Sequence, residues 1–177
     1  MIRALRLEDM AGNSSAVTRF VYFLSGEHRQ SGLASSLQEH WPVAAGELII
    51  EEVDLSISAE HDLAGEELRT FYRKRLRAGY YHGVGCTPPC GSFSRIVWKN
   101  SFGPRPCRSR MWPRGFPWAG QQGRARAETG NIFVDFLVDI MTDIRSSGLG
   151  GVAMLFGEHP EDLGFKGTIQ PASIWQW

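Results

Sequence analysis

The chain has 177 residues, 42% of them hydrophobic and 21% charged, which excludes wholesale disorder and a fibrous repeat and leaves room for one ordinary domain. It has no apolar run of the roughly 20 residues that cross a bilayer, no secretory stretch in its opening MIRALRLEDMAGNSS, and three cysteines (Cys86, Cys90, Cys107), too few and too odd for a disulfide framework; an intracellular, reducing setting is expected. A formal net charge of zero hides a segregation: Leu68 to Ala127 holds 13 of the 19 basic residues and no Asp or Glu, a composition suited to an anion such as nucleic acid unless those arginines pair with the acidic flanks on folding.

In chain order, residues 1–18 show weak periodicity and read as a frayed or irregular lead-in. Phe20 to Leu24 is a continuous apolar run ending at Ser25-Gly26, the pattern of a buried parallel strand. Gln30 to His40 places Leu33, Ala34 and Leu37 at helical spacing before Trp41-Pro42 stops it. Glu47 to Asp54 is a second strand with an acidic end. Gly65 to Arg77 is a helix with Leu68, Phe71, Tyr72 and Leu76 on one face and Gly79 as its stop. Tyr80 to Cys86 predicts a third strand, running into Thr87-Pro88-Pro89-Cys90.

The segment 95–126 reads as a long basic loop, with Pro104, Pro106, Pro113 and Pro117 among interspersed glycines. A helix is expected from about Glu128, with Ile132, Phe133, Phe136, Leu137, Ile140, Met141 and Ile144 buried. Asp135, Asp139 and Asp143 form its polar stripe and Gly148 lies past its end. Gly151 to Phe156 predicts a last strand, opening into Glu158-His159-Pro160. The alternation implies an α/β domain over 19–177, a Rossmann-like, mostly parallel sheet with helices on both faces, incomplete at its C-terminal end.

In such sheets ligands bind beyond the carboxyl ends of the strands. That rule selects Ser25, Gly26, Glu52, Asp54, Cys90 and Glu158. Two prolines stiffen the approach to Cys90, and a helix starting at Ser92, with Arg95 nearby, would raise its thiolate fraction. A buried structural cysteine is the plainer alternative. Glu52 stands where a carboxylate accepts ribose hydroxyls, or is simply solvated; Glu158 is an acid held in a pocket or a solvated loop carboxylate. Ser25-Gly26 lacks the spacing of a phosphate loop.

Together these residues resemble a known family. Pro88-Pro89-Cys90-Gly91-Ser92-Phe93-Ser94 is similar to the Pro-Pro-Cys-x-x-Phe-Ser signature of the cytosine-C5 DNA methyltransferases. Tyr22 to Gly26 with Ser31-Gly32-Leu33 resembles that family's S-adenosylmethionine loop. Glu52-Val53-Asp54 resembles its Glu-x-Asp motif, Asp62 its adenine-side Asp, and Glu158-His159-Pro160 its Glu-Asn-Val motif.

The resemblance implies Cys90 as nucleophile and Glu158 as the residue gripping the target base. It implies Ser25, Gly26, Glu52, Asp62 and Pro88 around S-adenosylmethionine, and DNA as partner, in the nucleus if the source is eukaryotic. Arg95, Arg105, Arg108, Arg110 and Arg114, with Trp98, Trp112 and Trp118 interleaved, would offer phosphate contacts and stacking faces, or the tryptophans would simply pack the loop. Glu27-His28-Arg29 stands where the family has further glycines, Gly91 replaces a Gln, and the later motifs have no counterpart before Trp177. A missing segment or partner chain, or a non-catalytic nucleic-acid-binding module on the same fold, is the corresponding alternative. A zinc set of Cys86, Cys90, Cys107 and His159 is disfavoured by its irregular spacing.

Overall fold

The computed structural model describes residues 17–94, 96–99, 101–146, 153–156 and 169–174. Arg95, Gly148, Glu158, His159, Pro160 and most of the expected lead-in lie outside the described residues. From sequence, residues 19–177 form one domain; by contact, the described residues group into two compact units. One falls within Met1–Thr87 and Ile140–Phe156, the other within Pro88–Asp139 and Gly157–Trp177.

The first unit is built on a parallel sheet. Strands β1 (Val17–Phe23), β2 (Glu47–Val53), β3 (Gly83–Cys86) and β4 (Ala153–Phe156) lie in the order β2-β1-β3-β4. Phe20 is in register with Ile50 on one side and Gly83 on the other. The glycines of β3 are there for fit: a Cβ at Gly85 would stand 2.8 Å from the Tyr22 ring. The Phe20 and Tyr22 rings thus lie against Gly83 and Gly85, where β3 has no side chain to oppose them, and Val21, Phe23, Val53 and Val84 are fully buried.

Helix α1 (Leu33–Glu39) follows β1, and α2 (Glu66–Arg77) lies between β2 and β3. The helix α2 carries Glu66 and Glu67 in its first turn and Lys74, Arg75 and Arg77 in its last, matching the helix dipole. It ends as the sequence predicts. Gly79 takes φ +72°, its N–H bonds to the Leu76 carbonyl, and the Tyr80 N–H reaches back to Arg75. That reversal uses up Tyr80 and Tyr81, so β3 begins at Gly83 rather than at Tyr80. The phenols of Tyr72 and Tyr81 donate to the two oxygens of Glu51, at 2.8 and 2.6 Å, and burial together with that carboxylate raises both their pKa values. Phe71, expected on the buried face, is exposed and lies under the Arg75 guanidinium at 4.6 Å.

The second unit contains α3 (Ile96–Lys99) and the first 19 residues of α4, which runs from Gln121 to Ser146. Thus the basic segment expected to be loop to residue 126 becomes helical at Gln121. The Gln-, Arg- and Ala-rich run there favours helix strongly enough to carry Gly123. Phe93, Val97, Cys107, Phe133, Val134, Phe136 and Leu137 form the buried interior of this unit. In the first unit the last turns of α4 bring Asp143, assigned from sequence to a solvated stripe, to 6% exposure. Arg73 Nε donates to it at 2.7 Å and Arg77 lies at 2.8 Å. Burial would raise its pKa, but the two guanidiniums outweigh burial and hold the carboxyl below its usual value.

Candidate functional site

A sheet ordered β2-β1-β3-β4 reverses its winding between β1 and β3, and ligands of such sheets bind beyond the carboxyl ends of the strands at that point. Here β1 gives way to Leu24, which adopts φ +56°, donates its N–H to Val53 at 2.8 Å and receives the Thr87 hydroxyl on its carbonyl. Next comes Gly26 at φ +74°, with open space where a Cβ would stand. Its N–H donates to Asp54 Oδ2 at 3.0 Å, so the turns after β1 and β2 are tied together.

The other oxygen of Asp54 accepts from the Ser56 amide and hydroxyl at 2.8 and 2.6 Å. Burial opposes ionisation of Asp54, but these bonds prevail and hold its pKa below the ordinary value. The carboxylate expected to take a ribose, Glu52, is instead 2.6 Å from His28 Nδ1. Asp62 is exposed and accepts the Ala64 N–H at 2.9 Å, turning the chain toward α2. Ser25 lies beside Gly26 as expected, and Pro88 is buried, in the other unit. The open face at Gly26 fits a ligand approaching the backbone. The ribose position fits only once His28 leaves Glu52.

In the second unit, Cys90 begins a tight turn closed by the Phe93 N–H on the Cys90 carbonyl at 2.9 Å. Pro89, Cys90 and Gly91 are exposed while Pro88, Ser92 and Phe93 are buried, so the thiol is displayed on an anchored turn. Cys86 and Cys107 are buried, and burial pushes the Cys86 thiol up. Cys90 is therefore the one of the three that presents its sulfur to solvent. The helix expected to begin at Ser92 begins at Ile96 and lasts four residues, so no helix end at Ser92 assists the thiolate.

Beneath this turn lies Arg108, expected from sequence to meet phosphate. It is 1% exposed, with its guanidinium 4.0 Å from the Phe93 ring centroid. It donates to the carbonyls of Pro113 (2.7 Å) and Ala127 (2.6 Å) and to Asn131 Oδ1 (3.1 Å). Burial lowers its pKa, and those acceptors keep it in place. Arg108 is a buried cross-link. Gly130 faces it without a side chain: a Cβ there would come within 2.9 Å of the guanidinium and 2.5 Å of Ser92 Oγ.

The other basic residues divide. Arg114 forms a two-pronged pair with Asp135 at 2.7 and 3.1 Å, and Arg73, Arg75 and Arg77 face Asp143 and Glu51, so four of the arginines do pair with the acidic flanks. Arg105 is exposed. Arg110 is exposed, and it bonds Gln170 through its amide and its Nη1. The tryptophans surround a residue that sequence reasoning missed, Phe116, whose ring stacks on Trp118 at 5.1 Å with planes 9° apart. Trp112 meets Trp118 edge-on at 4.8 Å, and Trp98 meets Phe116 at 6.4 Å. The signal was the tight run Trp112-Pro-Arg-Gly-Phe116-Pro-Trp118, whose prolines and glycine turn three rings toward one another.

Among the described residues no group of three His, Cys, Asp or Glu side chains gathers to hold a metal, and no described helix is long and apolar enough to cross a membrane. No protein-family model, no curated protein and no solved structure matches the chain, so the family resemblance rests on the sequence motifs alone.

Proposed function

We propose that the chain is a divergent cytosine-C5 DNA methyltransferase-like domain in which Cys90 is the nucleophile. The observation that carries this reading is the exposed thiol of Cys90 on a turn anchored by Phe93 and Arg108, while the other two cysteines are buried. The strand order supports a doubly wound, Rossmann-like arrangement, with Gly26 and Asp54 at the end where such folds take nucleotide-like ligands. When bound, S-adenosylmethionine supplies an electrophilic methyl group.

The chain's own part is covalent activation. The Cys90 thiolate adds to C6 of cytosine, forming an S–C6 bond and pushing electron density to C5, while Glu158 holds the proton on N3. After C5 is alkylated, a base takes the C5 proton and the S–C6 electron pair returns to sulfur, freeing Cys90. The target base must leave the duplex, at a cost of a few kcal/mol. DNA containing 5-fluorocytosine cannot lose a proton at C5, so the adduct should persist. A denaturation-resistant band that requires S-adenosylmethionine and is lost in Cys90→Ser supports the reading; its absence from the wild-type chain refutes it.

A second reading, a nucleic-acid-binding module without catalysis, is favoured by one observation, the 2.6 Å bond that occupies Glu52 with His28. Calorimetry separates the two. If S-adenosylmethionine binds neither the wild-type chain nor His28→Ala, the binding module stands; tighter binding to His28→Ala assigns His28 as the obstruction.

A further inference from the structure

The second unit contains a cavity of about 730 Å³, within the range of small-ligand sites, and Cys90 is not part of its wall. Trp98, Trp112, Phe116 and Trp118 line it with Ser109 and Arg110. Three features specify an occupant. The first is a stacking face. Phe116 stacks on Trp118 with no space between the rings for a third, and Trp112 meets it edge-on at 4.8 Å, yet Trp118 remains 64% exposed, so much of its ring surface stays open to a ligand. The second is a positive charge with a fixed position: Arg110 sits at the tip of the turn closed by the Trp112 N–H on the Ser109 carbonyl (3.0 Å), and Gln170 Oε1 holds its guanidinium at 3.2 Å.

The third is an unmet donor. Ser109 is 1% exposed, and its hydroxyl has no hydrogen-bond partner among the described residues. An aromatic wall, a cation at the rim and a buried hydroxyl match a planar heterocycle bearing an anion, and the acid-free stretch around them disfavours a cationic ligand.

We propose that this cavity receives a nucleobase of single-stranded nucleic acid, stacked on Trp118 with its phosphate against Arg110. The proposal shares with the methyl-transfer reading only that the partner is nucleic acid, and it concerns a site separate from the nucleophile. Binding is read by quenching of tryptophan fluorescence with oligothymidylate, thymidine monophosphate and a blunt duplex, at several salt concentrations. Oligothymidylate should bind with the mononucleotide much weaker and the duplex weaker still. Trp118→Ala should weaken oligothymidylate roughly tenfold, with Trp118→Phe restoring most of the loss. Arg110→Ala should weaken it and reduce the salt slope by about one.

If oligothymidylate fails to bind, if the mononucleotide binds as well as the strand, or if Trp118→Ala, shown folded by its urea midpoint, binds like the wild type, the proposal is overturned. A 5-fluorocytosine adduct alongside that last result would leave the methyl-transfer reading standing; stacking without an adduct would leave only this one.

Discussion

Replacing Gly130 by alanine sets two effects of opposite sign against each other. Glycine inside a helix costs about 1 kcal/mol relative to alanine, so propensity alone makes Gly130→Ala stabilising by that amount. Packing opposes it. The new Cβ would stand 2.5 Å from Ser92 Oγ, 2.9 Å from Arg108 Nη2 and 3.4 Å from Phe93 Cε2, the first of these about 1 Å inside ordinary contact. Ser92 can turn its hydroxyl aside, but Arg108 is held by three acceptors and lies over the Phe93 ring. Overpacking of that kind costs about 3 kcal/mol, the upper part of its usual range. The net expectation is a loss of about 2 kcal/mol, or roughly 1 M in the urea midpoint.

Gly123→Ala in the same helix is the control. Its Cβ would meet Ala119 Cβ at 3.3 Å and Cys107 Cβ at 3.6 Å, so packing and propensity nearly cancel, within about 0.5 kcal/mol. A Gly130→Ala chain as stable as the wild type, or more so, would refute the buried Arg108 platform beneath Cys90. A faster reaction of Cys90 with a thiol reagent is expected alongside the loss, because Ser92 and Phe93 belong to the same turn.

Arg108→Met should cost about 3 kcal/mol in urea denaturation, since it leaves the acceptors of Pro113, Ala127 and Asn131 buried without their donor, and Arg108→Lys should recover little, having no planar fork. Asp143→Asn should cost about 2 kcal/mol at neutral pH, less than a fully buried pair because Arg77 is half exposed. The same carboxyl sets an acid limb. Its folded pKa lies below the unfolded value of about 3.9, so its stabilisation is complete above that pH and fades as pH falls through the folded value. Thermal melts of Asp143→Asn should therefore lose stability less steeply below pH ~4 than the wild type; an identical slope would contradict the pairing.

The elements readable from sequence were those whose signal is local. The apolar run of β1, the acidic end of β2 and the Gly79 stop of α2 each depend on a few adjacent residues. What was not readable depended on partners distant in the chain. His28 reaches Glu52 because β1 and β2 run parallel in register, a pairing that a single sequence does not display. Asp143 looked like a surface stripe until Arg73 and Arg77, some seventy residues earlier, came to meet it. The start of α4 was obscured by Gly120 and Gly123, read as loop although the surrounding Gln, Arg and Ala favour helix.

The acid-free stretch itself has two uses, which explains its composition. From Ser101 to Gly120 the chain forms no helix or strand, and its carbonyls need donors that regular structure does not supply there. Guanidinium groups supply them. Arg108 bonds the carbonyl of Pro113, Arg124 that of Ala119, and Arg126 that of Arg105. An ammonium group offers no fixed fork for this work, and 11 of the 13 basic residues from Leu68 to Ala127 are arginine against two lysines. Much of the charge that reads as an anion-binding surface is therefore committed to holding the segment's own backbone or to Asp143, Glu51 and Asp135. Arg110, held by Gln170, lines the cavity with the tryptophans, so what reaches a ligand there is a local charge rather than a continuous basic face.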